Sequence, residues 1–442
     1  MEAYSVMNFQ DAPQPPTSQS APPSRRSFGV RYLLILVLAL VAGAIVLERR
    51  TRPELLVGPM VQIPAPDCVT IVWEMNAPLG GGAAWIEETP DTPRIAKAVQ
   101  SGRRYEATFR GLPAGKSLTY TIVCDRGLFG SAKLAGPYET KIPPPRGTPF
   151  RFLAFGDSGN GSNTQADFAA RMATAGADLI IHVGDLVYPA GDGETYPTHF
   201  YEPNAAIIRH APFMPSLGNH DVATDQGRPL LRHFVCPENG PPGIEPERCY
   251  WFDYGDARFV ALDSNIVQAS GALTTEQLKS IVAPWVRKVL ADCDARWKFV
   301  FFHHPYYTGS THPAEGGAFM KEAFLEVFEA CGVDMVFCGH NHLYERTAPM
   351  RNDAIVEDGK GIVYIVTGAG GVSRYPEQMP NPPYIRYYND SVFSFTQVDI
   401  SAERLELRQI DETGKTIDSY TLTKPAGGAM QPPPMRPITT LR

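Results

Sequence analysis

Apolar and polar positions fall into three regimes along the chain. From Tyr32 to Leu47 the run YLLILVLALVAGAIVL has no polar face, and Arg25, Arg26 and Arg31 precede it while Arg49, Arg50 and Arg52 follow. A helix that is apolar all round lies in a core or in a bilayer. The run falls short of the ~20 residues that span a bilayer, but Ser27 to Val30 can extend it and Arg31 can snorkel. We read residues 28–47 as a transmembrane anchor or a signal segment. Ala42-Gly43-Ala44 offers a cleavage pattern, whereas the long Pro-, Ser- and Gln-rich arm 1–27, expected to be disordered, favours the anchor.

In the second regime, residues 53–142, short alternating runs are divided by turn signals: Val69 to Trp73, Ala83 to Trp85, Tyr105 to Phe109 and Thr119 to Val123. That period predicts a small all-β sandwich. The prolines of Lys141 to Pro149 form a stiff linker. In the third regime, residues 149–424, continuous apolar runs alternate with helical patterns: Phe150 to Phe155, Leu179 to Val183, Phe213 to Leu217, Phe259 to Leu262, Phe299 to Phe302, Val333 to Phe337 and Ile362 to Val366. Buried strands between helices indicate an α/β sheet. Thr274-Thr-Glu-Gln277 is a capping box opening a helix toward Leu290. Val392 to Val398, Leu405 to Ile410 and Tyr420 to Leu422 add strands, and the Pro/Gly-rich residues 425–442 form a tail expected to be disordered.

Composition changes this picture little. At 442 residues the chain exceeds one ordinary core, and 43% hydrophobic with 20% charged residues is typical of a globular protein. The net charge of −7, with no long basic run in the folded part, gives no footprint for nucleic acid. Seven cysteines suit an extracytoplasmic compartment. Cys68 with Cys124 and Cys236 with Cys249 are candidate bridges, while Cys293, Cys331 and Cys338 leave at least one thiol over.

Five strand runs end in residues that can bind a metal. They are followed by Gly156-Asp157-Ser158-Gly159, Gly184-Asp185-Leu186-Val187-Tyr188, Gly218-Asn219-His220-Asp221, His303-His304, and Gly339-His340-Asn341-His342. Sites in α/β sheets lie at strand carboxyl ends. One Gly-Asp turn means little; together these residues supply carboxylates, an amide, a phenol and imidazoles, a shell for iron, zinc or manganese. Two such ions suit phosphoester hydrolysis.

This ordered set resembles the purple acid phosphatases among the calcineurin-like metallophosphoesterases, through the motifs G-D-x-G, G-D-x-x-Y, G-N-H-(D/E), V-x-x-H and G-H-x-H. Leu343-Tyr344-Glu345-Arg346 is similar to the plant-type members. The region preceding them resembles their N-terminal fibronectin type III-like domain, with a tyrosine-corner pattern from Leu112 to Tyr120. The resemblance implies an α/β, four-layer αββα fold and a dinuclear centre of Fe(III) plus a divalent Fe, Zn or Mn. It implies that Asp157, Asp185, Tyr188 and His342 hold one ion and that Asn219, His303 and His340 hold the other, with Asp185 bridging. It further implies acid phosphatase activity on small phosphate monoesters, through attack by a metal-bound hydroxide. His220 and His312 would grip phosphate and protonate the leaving group, with Asp221 orienting His220. Pro313 stands where plant enzymes carry a second histidine. His304 is read as structural or supporting. Phosphodiester or nucleotide pyrophosphate hydrolysis is the alternative, and a non-catalytic surface-binding module a second one.

Overall fold

The computed structural model describes residues 25–51, 53–63, 67–76, 82–87, 94–125, 130–267, 273–312, 315–374 and 382–424. Most of the N-terminal arm, all of the C-terminal tail and Pro313 lie outside them. Two compact units, 1–52 and 53–442, divide the chain.

Among the described residues the first unit is one helix, Arg25–Thr51. Its stretch Gly29–Glu48 has a mean hydropathy of 2.7 and is long and apolar enough to cross a membrane.

The second unit begins with two four-stranded antiparallel sheets. The strands are β1 (Leu55–Gln62), β2 (Cys68–Met75), β3 (Gly82–Glu87), β4 (Arg94–Lys97), β5 (Val99–Ser101), β6 (Arg104–Arg110), β7 (Ser117–Asp125) and β8 (Ser131–Lys141). They are ordered β1-β2-β6-β5 and β4-β3-β7-β8. Strict alternation of buried and open positions along β6 and β7 buries Tyr105, Ala107, Leu118, Tyr120 and Ile122 between them. The tyrosine-corner expectation fails. Tyr120 donates its hydroxyl to the Arg209 carbonyl at 2.8 Å, tying the sandwich to the following domain. Gln62, fully buried, does the same with both ends of its amide: Nε2 donates to Phe213 O at 2.5 Å and Oε1 accepts from Val235 N at 3.1 Å.

Beyond the linker come β9 (Phe150–Phe155), β10 (Leu179–His182), β11 (Phe213–Pro215), β12 (Tyr250–Tyr254), β13 (Ala257–Ala261), β14 (Trp297–Phe301), β15 (Met335–Cys338) and β16 (Tyr344–Thr347). The short pair β17 (Met350–Arg351) and β18 (Ala354–Ile355) follows, then β19 (Val363–Thr367), β20 (Ile385–Asn389), β21 (Ser394–Ile400), β22 (Arg404–Asp411) and β23 (Thr416–Thr423). A six-stranded sheet runs β11-β10-β9-β21-β22-β23 and a seven-stranded one β12-β13-β14-β15-β19-β16-β20.

Period two explains how these sheets stack. Phe152 of the first sheet meets Phe259, Phe299 and Phe337 of the second, with ring centroids 5.2, 5.3 and 5.7 Å apart. The alternate residues Val260, Val300 and Val336 belong to a separate core that includes Val286, Leu290, Phe324 and Phe328 of the helices Ala283–Ala291 and Glu315–Cys331. On the opposite side the helix Asn163–Ala173, capped by Ser162, rests Phe168 on Phe395 of β21 at 5.7 Å. The result is four layers, helix, sheet, sheet and helix. The capping box closes as expected, Thr274 and Gln277 each accepting from the other's backbone N–H.

Neither candidate disulfide is formed: all seven cysteines are thiols. Asp263 N donates to Cys249 Sγ at 3.5 Å, and Cys236 pairs with Tyr250, so the second pair is engaged elsewhere.

Candidate metal centre

Parallel strands β9, β10 and β11 of one sheet and β14 and β15 of the other bring their carboxyl ends to one place. Each chain then turns sharply. Asp157, Asp185 and His340 sit in left-handed backbone, at φ 57°, 58° and 69°, a conformation that costs a non-glycine residue about 1–3 kcal/mol. The glycines beside them leave no room for a side chain. A Cβ on Gly339 would stand 2.5 Å from Asp157 Oδ2, and one on Gly184 2.6 Å from His303 Nδ1.

These turns gather all seven expected ligands. Tyr188 Oη lies 2.9 Å from Asp185 Oδ2, 3.3 Å from Asp157 Oδ1 and 3.0 Å from His342 Nε2. Asn219 Oδ1 lies 3.0 Å from His303 Nε2 and 2.9 Å from His340 Nδ1, and those two nitrogens are 3.3 Å apart. His303 Nε2 is also 3.3 Å from Asp185 Oδ2, which places Asp185 between the two groups. Ligand atoms around one ion at 2.0–2.2 Å are necessarily about this far from one another.

The rings are held from behind. His303 Nδ1 bonds Val183 O at 2.9 Å and His342 Nδ1 bonds Ser373 Oγ at 2.7 Å, leaving each Nε2 directed inward. His304 bonds Ser264 through Nδ1 at 2.8 Å, and its ring packs 4.5 Å from His340, with a ring nitrogen within 4.8 Å of donor nitrogens of His303 and His340.

Charge tests whether the donors suit a cation. Asp157 and Asp185 are buried to 0% and 1% exposure. Burial alone would push the His303 imidazole down, yet Asp185 and Asp157 hold it up at about 9. Despite burial, Asp185 is kept below the usual carboxylate range by His303 and by His220, whereas Asp157, buried beside Asp185, is pushed well above it. Two carboxylates share one imidazolium, so the cluster is short of positive charge. A hard O/N donor set with that deficit fits divalent or trivalent cations.

Asp221 does not orient His220. Its carboxylate accepts N–H bonds from Asp185 at 2.8 Å, Leu186 at 2.9 Å, Val187 at 3.4 Å and Gly218 at 2.9 Å, locking the Asp185 turn to the Asn219 turn. An acid at the third residue of the helix Asn219–Ala223 reaching back to Gly218 is a capping signal that the sequence carried. His220 bonds the Pro189 carbonyl through Nδ1 at 2.5 Å, and its ring lies tilted against Tyr188 with centroids 4.2 Å apart. His312 packs 5.0 Å from His340. Ser373, remote in sequence from His342, carried no signal.

Known proteins are similar to this chain in sequence and fold. Residues 150–344 match the calcineurin-like phosphoesterase family, and residues 361–419 match "Iron/zinc purple acid phosphatase-like protein C", together more than half of the chain. A nucleotide pyrophosphatase/phosphodiesterase of Hordeum vulgare is 26% identical over 66% of this chain and 89% of its own. From Arabidopsis thaliana, Fe(3+)-Zn(2+) purple acid phosphatase 12 is 25% identical over 58% of each chain. Probable inactive purple acid phosphatase 24 of the same plant is 26% identical over 62% of this chain and 50% of its own, so the chain spans little more than half the length of these two relatives. The purple acid phosphatase PPD1 from yellow lupin (Lupinus luteus) superposes with a TM-score of 0.71 at 19% identity, covering 83% of this chain and 74% of its own. With the layers, the strand-end donors and both matches in one order, the chain belongs to the purple acid phosphatase family of calcineurin-like metallophosphoesterases.

Proposed function

We propose that the chain is an acid phosphatase hydrolysing small phosphate monoesters at a dinuclear centre of Fe(III) and a divalent Fe, Zn or Mn. Asp157, Asp185, Tyr188 and His342 would hold one ion and Asn219, His303 and His340 the other, with Asp185 shared. The observation that carries this reading is the convergence of seven O and N donors around two carboxylates lacking full counter-charge. Metal ions bound there supply Lewis acidity and the activation of water.

The chain's own residues do the rest. His220 carries its proton on Nδ1, assigned from the Pro189 bond. Its ring, tilted against Tyr188 and 35% exposed, turns Nε2 toward Asp185 Oδ2 at 3.9 Å, a position from which it can meet a phosphate oxygen. His312, packed on His340, is assigned the proton for the leaving group. Hydrolysis of diesters or nucleotide pyrophosphates is the second reading, favoured by the name of the barley relative and its 89% coverage. A non-catalytic surface module conflicts with the complete donor set.

We assign the catalytic unit to residues 149–424, residues 53–142 to a fibronectin type III-like domain, and the helix through residues 28–47 to a membrane anchor or signal placing both outside the cytoplasm. The strand order of the two small sheets and the hydropathy of the helix support this. The test is to purify the chain from about Arg50 onward, then measure metal content and compare monoester with diester turnover across pH. Stoichiometric metal and an acidic monoester optimum are expected; a metal-free or inactive protein overturns the proposal.

A further inference from the structure

Five of the seven cysteines are buried, and the two that are partly open, Cys293 and Cys331, meet at one helix end. Cys293 follows the helix Ala283–Ala291 and donates its thiol to the Leu290 carbonyl at 3.4 Å. Cys331 closes the helix Glu315–Cys331 and directs its thiol to the Arg287 carbonyl at 3.7 Å. These two carbonyls belong to the same helix three residues apart, so they point the same way about 5 Å from each other. The ends are also clasped: the Lys298 ammonium donates to Leu290 O at 2.7 Å and to Cys331 O at 2.9 Å. Two thiols thus sit on neighbouring carbonyls of one turn, on elements that pack side by side.

We infer that Cys293 and Cys331 form a disulfide when the protein meets a small-molecule disulfide oxidant. Sequence spacing does not single out this pair, and the inference stands whatever the centre hydrolyses. In the first step the Cys293 thiolate attacks one sulfur of the oxidant and expels one small thiolate. The Cys331 thiolate then attacks the Cys293 sulfur of the mixed disulfide and expels the second. One small disulfide is reduced to two thiols and two protein thiols are oxidised to one bridge. Each cysteine gives up only a weak thiol–carbonyl bond, and χ1 rotation must bring the β-carbons to the ~3.5–4.5 Å that a bridge requires. Burial holds the Cys331 thiol above its ordinary range, so the exchange runs faster under alkaline conditions.

The bridge would close the segment 293–331, which carries β14, His303 and His312 between its ends. Fastening the base of a loop restricts the unfolded chain and stabilises the folded one.

The test exposes the full chain in detergent to oxidised glutathione at about pH 8, blocks remaining thiols under denaturing conditions, and maps unreduced peptides. A peptide joining Cys293 to Cys331 is expected, together with a melting midpoint raised by a few degrees and restored by reductant. The conservative variant Cys331→Ser must lose both the linked peptide and the shift, while Cys338→Ser must keep them. Blocked thiols at both positions, or glutathione retained separately on each, would overturn the inference.

Discussion

The two β-rich parts of the second unit bury polar groups by opposite strategies. In the sandwich, buried Gln62 and Thr70 are satisfied by neutral partners, Gln62 by backbone groups and Thr70 by the Thr108 hydroxyl at 2.9 Å. At the ends of the larger sheets, carboxylates and imidazoles are buried against one another, and their charges do not balance. A buried polar group costs free energy until something pairs with it. One region meets Gln62 and Thr70 with neutral partners, whereas the other crowds carboxylates that a cation would balance.

The sharpest way to break that contrast is Asp185→Asn, which removes the carboxylate placed between both donor groups. Turnover should fall roughly a thousandfold or more with loss of bound metal, while circular dichroism stays native. Asp221→Asn comes next. An amide cannot accept four N–H bonds, so metal affinity, measured by competition with a chelator, should drop about 10–100-fold.

Tyr188→Phe should cost roughly tenfold in activity and abolish a broad visible absorption band of the wild type. A colourless, active wild type would mean zinc or manganese in place of iron.

The sandwich should respond differently. Gln62→Ala leaves Phe213 O and Val235 N without their partner, lowering unfolding free energy by about 1–3 kcal/mol, with metal content per folded molecule unchanged. Loss of metal in that variant would show that the sandwich helps build the centre.

The smallest effect is a pH dependence at the boundary between the regions. Burial raises the Glu247 carboxyl to about 7 from its ordinary value of 4.5. Between those values the folded state binds more protons than the unfolded one, so this group stabilises the fold below that window and the benefit is lost as pH rises through it. Glu247→Gln should flatten denaturation midpoints between about pH 4.5 and 7.

Much of this was legible because the chemistry sits where backbone periodicity ends. Phe150–Phe155 was read to the residue, and the turns after it follow from Gly-Asp and Gly-His pairs that only strand ends tolerate. The long helix Glu315–Cys331 and strands β12, β16 and β20 were not read. β16 follows directly on His342, where ligand residues and Glu345 disguise a strand; β20 is short and polar, with every position open or half-buried. Tyr120 was misassigned because its partner Arg209 lies in another domain, and no local pattern can report a contact so distant in sequence. Asp221 was assigned to its neighbour, His220, when its four partners are backbone amides.

The left-handed backbone at Asp157, Asp185 and His340 puts heat resistance and activity in conflict. Glycine at any of the three would relax the turn by about 1 kcal/mol or more and delete a donor from the centre. A laboratory lineage selected only for survival at high temperature would therefore drift toward a tougher, metal-poor relic of the same fold, and screens for durable variants need turnover as a second criterion.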